Sequence, residues 1–281
     1  MIGSPGTSVR LLQVTDPHLF GDEARKIYGV TTAVSLRRVL AEAFAPGTPR
    51  PAAILVTGDI ADDHSAAAYD NFRRALRPYG LPVFCLPGNH DEPGLMVDLV
   101  DGDGFQYGGT AEFGAWGAVF IATHVPGRPE GRVEPKELSR LEAVLQEYGD
   151  RPVLVCLHHP PLPVGSAWLD GVGLRNASEL LAVIERYPAV RRARWSRAPG
   201  VRAAARTCAG ARDAFDVRTI HAAHRTLRDG SQAAGLSLAG VAARWPGADG
   251  SAVAAGLGGG RPAARRPLLM TVGAHMKDKL P

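Results

Sequence analysis

Cysteine is scarce: the 281-residue chain has three, Cys85, Cys156 and Cys208. Two of them sit inside apolar, strand-like runs, as reduced buried thiols of a cytosolic protein do. No apolar run reaches 18 residues, so no membrane span is expected. The first residues lack a basic stretch leading into an apolar one, so no signal peptide is expected and a cytoplasmic location follows. Two further absences are local. No glutamate follows Glu185 and no tyrosine follows Tyr187. Residues 189–281 carry 16 Lys/Arg against 5 Asp, a net of +11, while the rest has 16 basic and 23 acidic residues, a net of −7. The basic pI of about 9.1 therefore describes the tail rather than the whole chain.

What is present in the first two-thirds is an alternation of strands and helices. Val9–Thr15, Ala53–Thr57, Pro82–Leu86, Ala118–Thr123 and Val153–Leu157 are short apolar runs, read as strands. Thr31–Phe44 reads as a helix with Val34, Val39, Leu40 and Ala43 on one stripe. Ser65 is positioned as an N-cap before a stripe of Tyr69, Phe72 and Leu76, with Gly80 as a stop. Pro135–Tyr148 and Ala177–Tyr187 are two more amphipathic helices. This rhythm predicts an α/β layered fold. After about residue 190 it ceases: Ala, Arg and Gly dominate, strand patterns fade, and composition predicts a poorly structured segment.

Chemistry concentrates in four clusters: Asp16-Pro17-His18, Gly58-Asp59, Gly88-Asn89-His90-Asp91 and His158-His159-Pro160. Singly, each has a plain reading as a turn or a satisfied loop. In order, each after an apolar strand, they read as hard and borderline ligands gathered at strand ends, where open α/β sheets place their sites. Side chains two apart on an extended segment share a direction, which predicts that Asp16 and His18 reach one ion. The set points to a two-metal hydrolytic site.

These motifs resemble the calcineurin-like metallophosphoesterases over residues 9–190. More closely, the chain is similar to the bacterial class III 3′,5′-cyclic AMP phosphodiesterases of the CpdA type. That likeness rests on Gln13 to Phe20, Gly58-Asp59 with Ser65–Tyr69, Leu86 to Asp91, His158 to Pro163, and Trp168-Leu169-Asp170 with Leu174-Arg175-Asn176. The resemblance implies a β-sandwich flanked by helices (αββα), its second half incomplete here. It implies two divalent ions (Fe, Mn or Zn), with Asp16, His18 and Asp59 on one, Asp59 bridging, and Asn89 and His158 on the other. His90 is then the phosphate contact that helps the ester oxygen depart, and Asp62 the carboxylate that orients it. The substrate is a small cyclic nucleotide, opened to AMP and contacted by His18, Asp59, Asn89, His90 and His158; Arg175 and Asn176 are candidate nucleotide contacts. One departure is Thr123-His124, where relatives have Asp-Ser; His124 reads better as a stray polar residue than as part of the site rim.

Relatives continue with a strand and a Gly-His-x-His turn whose histidines are ligands. Here that place reads Arg191 to Val201, with no ligand pair, and His221 and His224 lack both the glycine and a preceding strand pattern. Shifting the frame by one base turns Trp195-Ser196 into glycine for any serine codon, and the following overlaps permit His, Val, His, Gln, Glu, Phe. Asp213–Ala222 and Leu236–Pro246 also permit family-like strings. A frameshift near residues 189–193 is the expectation, making 1–190 the domain proper and 191–281 an aberrant tail. The missing segment is then expected to deprive the second sheet of strands. A nucleic-acid-binding arm is disfavoured, because few aromatics accompany the arginines and they form no helical stripe. The oligomeric state has no signature in the sequence.

Overall fold

The structure is a computed structural model, and it describes residues 9–163, 167–194 and 215–221, the last segment and 191–194 by backbone alone. All of these lie in one compact unit, Met1–Ala248. Five strands form an entirely parallel sheet in the order β11-β1-β4-β5-β6: β1 is Val9–Thr15, β4 Ala53–Thr57, β5 Val83–Leu86, β6 Phe105–Tyr107 and β11 Phe215–His221. A second sheet runs β10-β9-β8-β7, with β7 at Thr110–Phe113, β8 at Trp116–Phe120, β9 at Val153–Cys156 and β10 at Val190–Arg194. Only β7 is antiparallel to its neighbour there. A small hairpin of β2 (Lys26–Ile27) and β3 (Val30–Thr31) precedes the first helix.

Strand alternation explains why these runs are apolar throughout. On the five-stranded sheet, Leu12, Val14, Ile54, Val56, Val83 and Cys85 pack against the helices α1 (Thr32–Ala43), α2 (Ala66–Leu76) and α3 (Pro93–Leu99). Their alternates Leu11, Ala53, Leu55, Phe84 and Leu86 face the other sheet, against Phe113, Trp116, Ala118, Phe120, Leu154 and Cys156. Phe84 stacks on Phe120 at 5.6 Å and meets Phe113 edge-on at 5.3 Å. The outer side of the second sheet, Val119, Val153 and Val155, is covered by Leu141 and Leu145 of α4 (Pro135–Tyr148) and by Leu180, Val183 and Ile184 of α6 (Ala177–Glu185), which the short α5 (Ala167–Gly171) precedes. Strands buried on both faces read as nearly continuous apolar runs, and an exception, Gln13 of β1, donates to Thr57 Oγ1 at 2.9 Å. The architecture is the αββα sandwich.

Several expectations hold in detail. Ser65 accepts from Ala68 N at 3.1 Å and starts α2, and α4 has the expected bounds. Other expectations need correction. The buried stripe of α1 is Ala33, Leu36, Leu40 and Ala43, and Val34 points to solvent. The segment Ala118–Thr123 is a strand two residues earlier, because Trp116 opposite Phe113 begins the hairpin. The stretch after residue 190 does contain strands: β10 pairs with β9 and β11 with β1. The second sheet therefore has four strands among the described residues, and its inner face is covered.

Candidate metal centre

Each ligand cluster begins where a strand stops. Asp16 follows β1, Gly58-Asp59 follows β4, Gly88 follows β5 by one proline, and His158 follows β9 by one leucine. The first three belong to adjacent strands of one sheet, and His158 arrives from the other. His158 Nδ1 bonds the Thr57 carbonyl at 2.7 Å, across 101 residues of sequence, so the site sits where the carboxyl ends of both sheets meet.

The backbone is held in uncommon geometry there. Asp16, His18 and Asp59 have φ of +53°, +43° and +55°, the left-handed region that L-residues rarely occupy. Strain of this kind collects at functional sites. It also corrects the extended-segment argument: Asp16 and His18 do not alternate along a strand but are turned by two left-handed residues. Bonds from Asp16 N to Gly58 O (3.1 Å) and His18 N to Asp59 O (2.9 Å) lock the two loops together. Gly58, at φ +98°, leaves no room for a Cβ, which would lie 2.5 Å from His158 Nδ1. A Cβ on Gly88 would collide with the Asp59 backbone and carboxylate.

Two groups of potential ligand atoms result, each within 4.8 Å of one another: His18, Asp59 and His90, and Asp16, Asp59 and His158. Asp59 belongs to both, the position of a bridging carboxylate. Asp16 is grouped with Asp59 and His158, and its carboxylate also acts on the charge of His18. His90 stands close enough to donate as well; its amide bonds Asp59 Oδ1 at 3.0 Å. Asn89 Oδ1 lies 3.2 Å from His158 Nε2.

The imidazoles are set for ligation. His158 Nδ1 donates to a carbonyl, which leaves Nε2 facing Asn89 Oδ1 at 3.2 Å and Asp59 Oδ1 at 3.4 Å. His18 Nδ1 bonds Asp62 Oδ1 at 2.9 Å, leaving Nε2 3.4 Å from Asp59 Oδ2. A carboxylate or carbonyl behind each histidine is the usual support of a metal-binding ring. Asp62 serves two rings, since His90 Nδ1 is 3.2 Å from the same oxygen. The expectation that Asp62 orients His90 is thus only half the arrangement, and the shorter contact is to His18. Burial disfavours a proton on His18, but the Asp62 bond and the Asp59 and Asp16 carboxylates outweigh it and lift its pKa to about 9. His158 moves the same way: burial opposes the charge, and Asp59 and Asp16 overcome it. Such a negative pocket, drawing protons in their absence, fits divalent cations.

Asp91 had no role assigned from sequence, yet it ties the loops together. Fully buried, it accepts from Ile60 N, Ala61 N, Gly88 N and the Tyr69 hydroxyl at 2.9–3.2 Å. Tyr69 OH in turn accepts from Glu92 N at 2.9 Å. Burial and the nearby Asp59 push the Asp91 carboxyl upward, and the backbone donors oppose that. Its signal was the position directly after Gly88-Asn89-His90, beside a helix stripe containing Tyr69.

The two candidate nucleotide contacts are engaged with other protein groups. Asn176 is buried, with Oδ1 accepting from Val133 N and Nδ2 donating to Val133 O and Glu179, each at 2.9 Å. Its amide joins the start of α6 to Val133, just before α4. Arg175 Nη2 is 3.5 Å from Glu130. His124, read as stray, lines a cavity together with Asn89 and His90. The expected replacement of Gly-His-x-His falls at residues 195–201, outside the described residues, as do Cys208 and His224.

The family profile described as calcineurin-like phosphoesterase matches residues 9–193. The chain is 36% identical over 188 residues to a Pseudomonas aeruginosa protein named 3′,5′-cyclic adenosine monophosphate phosphodiesterase CpdA, covering 67% of this chain and 68% of that one. It is 38% identical over 184 residues to the protein of the same name from Escherichia coli (strain K12), covering 65% and 66%. Among solved structures, a dimetal phosphatase from Danio rerio matches with a TM-score of 0.56 at 14% identity, over 76% of this chain and 87% of that one, a likeness of fold.

Proposed function

We propose that this chain, which belongs to the calcineurin-like phosphoesterase family, is built to hydrolyse the cyclic phosphodiester of 3′,5′-cyclic AMP to AMP, and that it is impaired as written. The observation that carries the hydrolytic reading is the meeting of two ligand groups on Asp59. The names of the two bacterial relatives support cyclic AMP.

Bound divalent ions, for which Fe, Mn and Zn suit the mixed N/O donors, supply Lewis acidity and a lowered water pKa. Asp16, His18 and Asp59 would hold one ion, and Asp59 with Asn89 and His158 would hold the other. His90 is half-exposed at the rim with Nδ1 turned to Asp62, so its Nε2 is the atom that holds a proton for the departing ester oxygen. With no helix among the described residues long and apolar enough to cross a membrane, a cytoplasmic enzyme acting on a small nucleotide is the consistent reading.

The impairment follows from the frame. β10 lies parallel beside β9, whose end bears His158. In the shifted frame, the Gly-His-x-His string begins at Trp195, directly after the last residue of β10. It would thus stand at a strand's carboxyl end, like every other ligand. We therefore take 1–190 as the phosphoesterase domain's first part and the sequence from 191 as displaced in frame, with nucleic-acid binding by the tail disfavoured.

Metal content and hydrolysis test this. The chain as written is expected to hold fewer than two tight ions and to hydrolyse cyclic AMP far more slowly than a frame-restored version. Two tightly held ions with undiminished hydrolysis refute the impairment. A frame-restored chain preferring bis-(p-nitrophenyl) phosphate or glycerol diesters over cyclic AMP would refute the substrate. Sequencing the gene across codons 185–200 decides the frame itself.

A further inference from the structure

Beside Asn89 and His90 opens a cavity of about 550 Å³, lined by His64, Asn89, His90, Asp91, Glu92 and Pro93 on one side and by His124, Pro126, Gly127, Arg128 and Pro129 on the other. That volume lies within the range of small-molecule sites, roughly 300–1,000 Å³, and a phosphate seated at Asn89 and His90 leaves most of it free. We propose that the second wall, His124 to Pro129, is the subsite for the organic group esterified to the phosphate, and that it selects a planar, uncharged ring. This rests on the phosphodiesterase reading of the metal centre and extends it to the other half of the substrate.

The lining argues for a flat ring. Among the described residues Arg128 is the one guanidinium on it, and the acids Asp91 and Glu92 stand across the cavity. A second phosphate would need more cations than that. On the second wall Arg128, the His124 imidazole and two prolines instead offer flat faces, and a guanidinium plane stacks well on aromatic rings. Burial pulls the His124 pKa down, so this ring adds a neutral face.

The wall is seated, not loose. Glu130 lies 3.6 Å from Arg128 Nη1 and 3.5 Å from Arg175 Nη2, and so steers Arg128 while pairing with an arginine of the loop before α6. Arg128 N bonds Val125 O at 3.1 Å in a turn whose Gly127 has φ +68°, and Arg132 N bonds Thr123 O at 3.0 Å, closing the loop at its base. Both flanks rest on His159, the neighbour of the ligand His158. Thr123 Oγ1 is 2.7 Å from His159 Nδ1, and Gly131 lies so close to the ring that any Cβ would overlap it. The His159 and His158 rings meet edge-on at 4.8 Å. The spacing between wall and metal ligands is therefore set by one buried histidine.

Calorimetric titration of the full chain, loaded with Mn²⁺, with cyclic AMP, bis-(p-nitrophenyl) phosphate, glycerophosphoethanolamine and inorganic phosphate tests the proposal on Arg128→Ala and His124→Ala. The expected result is a Kd for the two planar diesters raised about tenfold by Arg128→Ala, with phosphate and glycerophosphoethanolamine changed less than twofold and metal content unaltered. Equal weakening of inorganic phosphate would make Arg128 a phosphate ligand and overturn the proposal, as would no change for either planar diester. If the unsubstituted chain binds bis-(p-nitrophenyl) phosphate in an Arg128-dependent way but not cyclic AMP, the subsite stands and the cyclic-nucleotide reading falls. If it binds cyclic AMP equally well with and without Arg128, only the subsite falls. If it binds phosphate and no diester, both fall.

Discussion

Replacing Asp91 with asparagine changes one buried atom and should loosen the metal centre from behind. In the native protein Oδ2 receives Gly88 N (2.9 Å) and shares Ile60 N (3.1 Å), while Oδ1 receives Ile60 N, Ala61 N and the Tyr69 hydroxyl. In its better orientation the amide keeps its oxygen at Oδ1 and turns its NH₂ toward Gly88 N–H. Two donors then face each other in a site without solvent. A buried donor left unsatisfied costs about 1–3 kcal/mol, and the bonds that survive lose their charge assistance. The expected loss in unfolding free energy is about 3 kcal/mol, read from urea denaturation by the fluorescence of buried Trp116. Because the broken bond holds the Gly88-Asn89-His90 loop against Asp59, hydrogen exchange at the Gly88 amide should quicken and Mn²⁺ affinity should fall at least tenfold. A variant within about 0.5 kcal/mol of the parent, with unchanged exchange at Gly88, refutes the view that Asp91 clamps the loops.

Other expectations follow from the same geometry. Gly88→Ala drives a methyl into Asp59 and should abolish tight metal binding; stoichiometric Mn²⁺ uptake by the variant, seen by paramagnetic resonance, would contradict this. Asn176→Ala should cost about 1–3 kcal/mol of stability while leaving metal affinity within twofold; a selective loss of nucleotide binding would return Asn176 to the substrate site. Stability of the metal-free chain should peak near neutral pH. His18, raised from 6.5 to about 9, contributes stability that is complete below pH 6.5 and lost as pH climbs through 9. His159, which burial and the neighbouring His158 depress to about 2, contributes stability that is complete above pH 6.5 and lost as pH falls toward 2. Urea midpoints across pH 4–10 check both arms, and bound metal should remove the alkaline decline, because it takes the His18 proton's place.

Much of the site was legible in the residues. Ligand chemistry was carried by Asp16, His18, Asp59, Asn89 and His158, and apolar runs before each cluster announced strand ends. Local rules sufficed for Ser65 as a cap and for Pro135–Tyr148 as a helix, since caps and amphipathic stripes are decided within a few turns. Of the expected α1 stripe Leu40 and Ala43 are buried, but Thr32, Ala33 and Leu36 complete it in place of Val34, and only packing against the sheet shows it. The strands β10 and β11 were not legible, because an Arg-rich segment acquires strand geometry only by pairing with the edges of β9 and β1.

The sequence by itself determined which side chains can bind metal and in what order they come. The tertiary structure alone decided how they combine. Asp59 is shared by both ligand groups because its loop, bonded to that of Asp16 and His18, lies beneath His158 from the opposite sheet. Asp62 supports His18 as well as His90, across 44 residues in the first case, and His159 seats the wall of a cavity that no local pattern foretells. Spacing along a chain constrains neighbours within a turn or a strand, whereas these contacts depend on the stacking of two twisted sheets, whose register emerges only when both inner faces are packed.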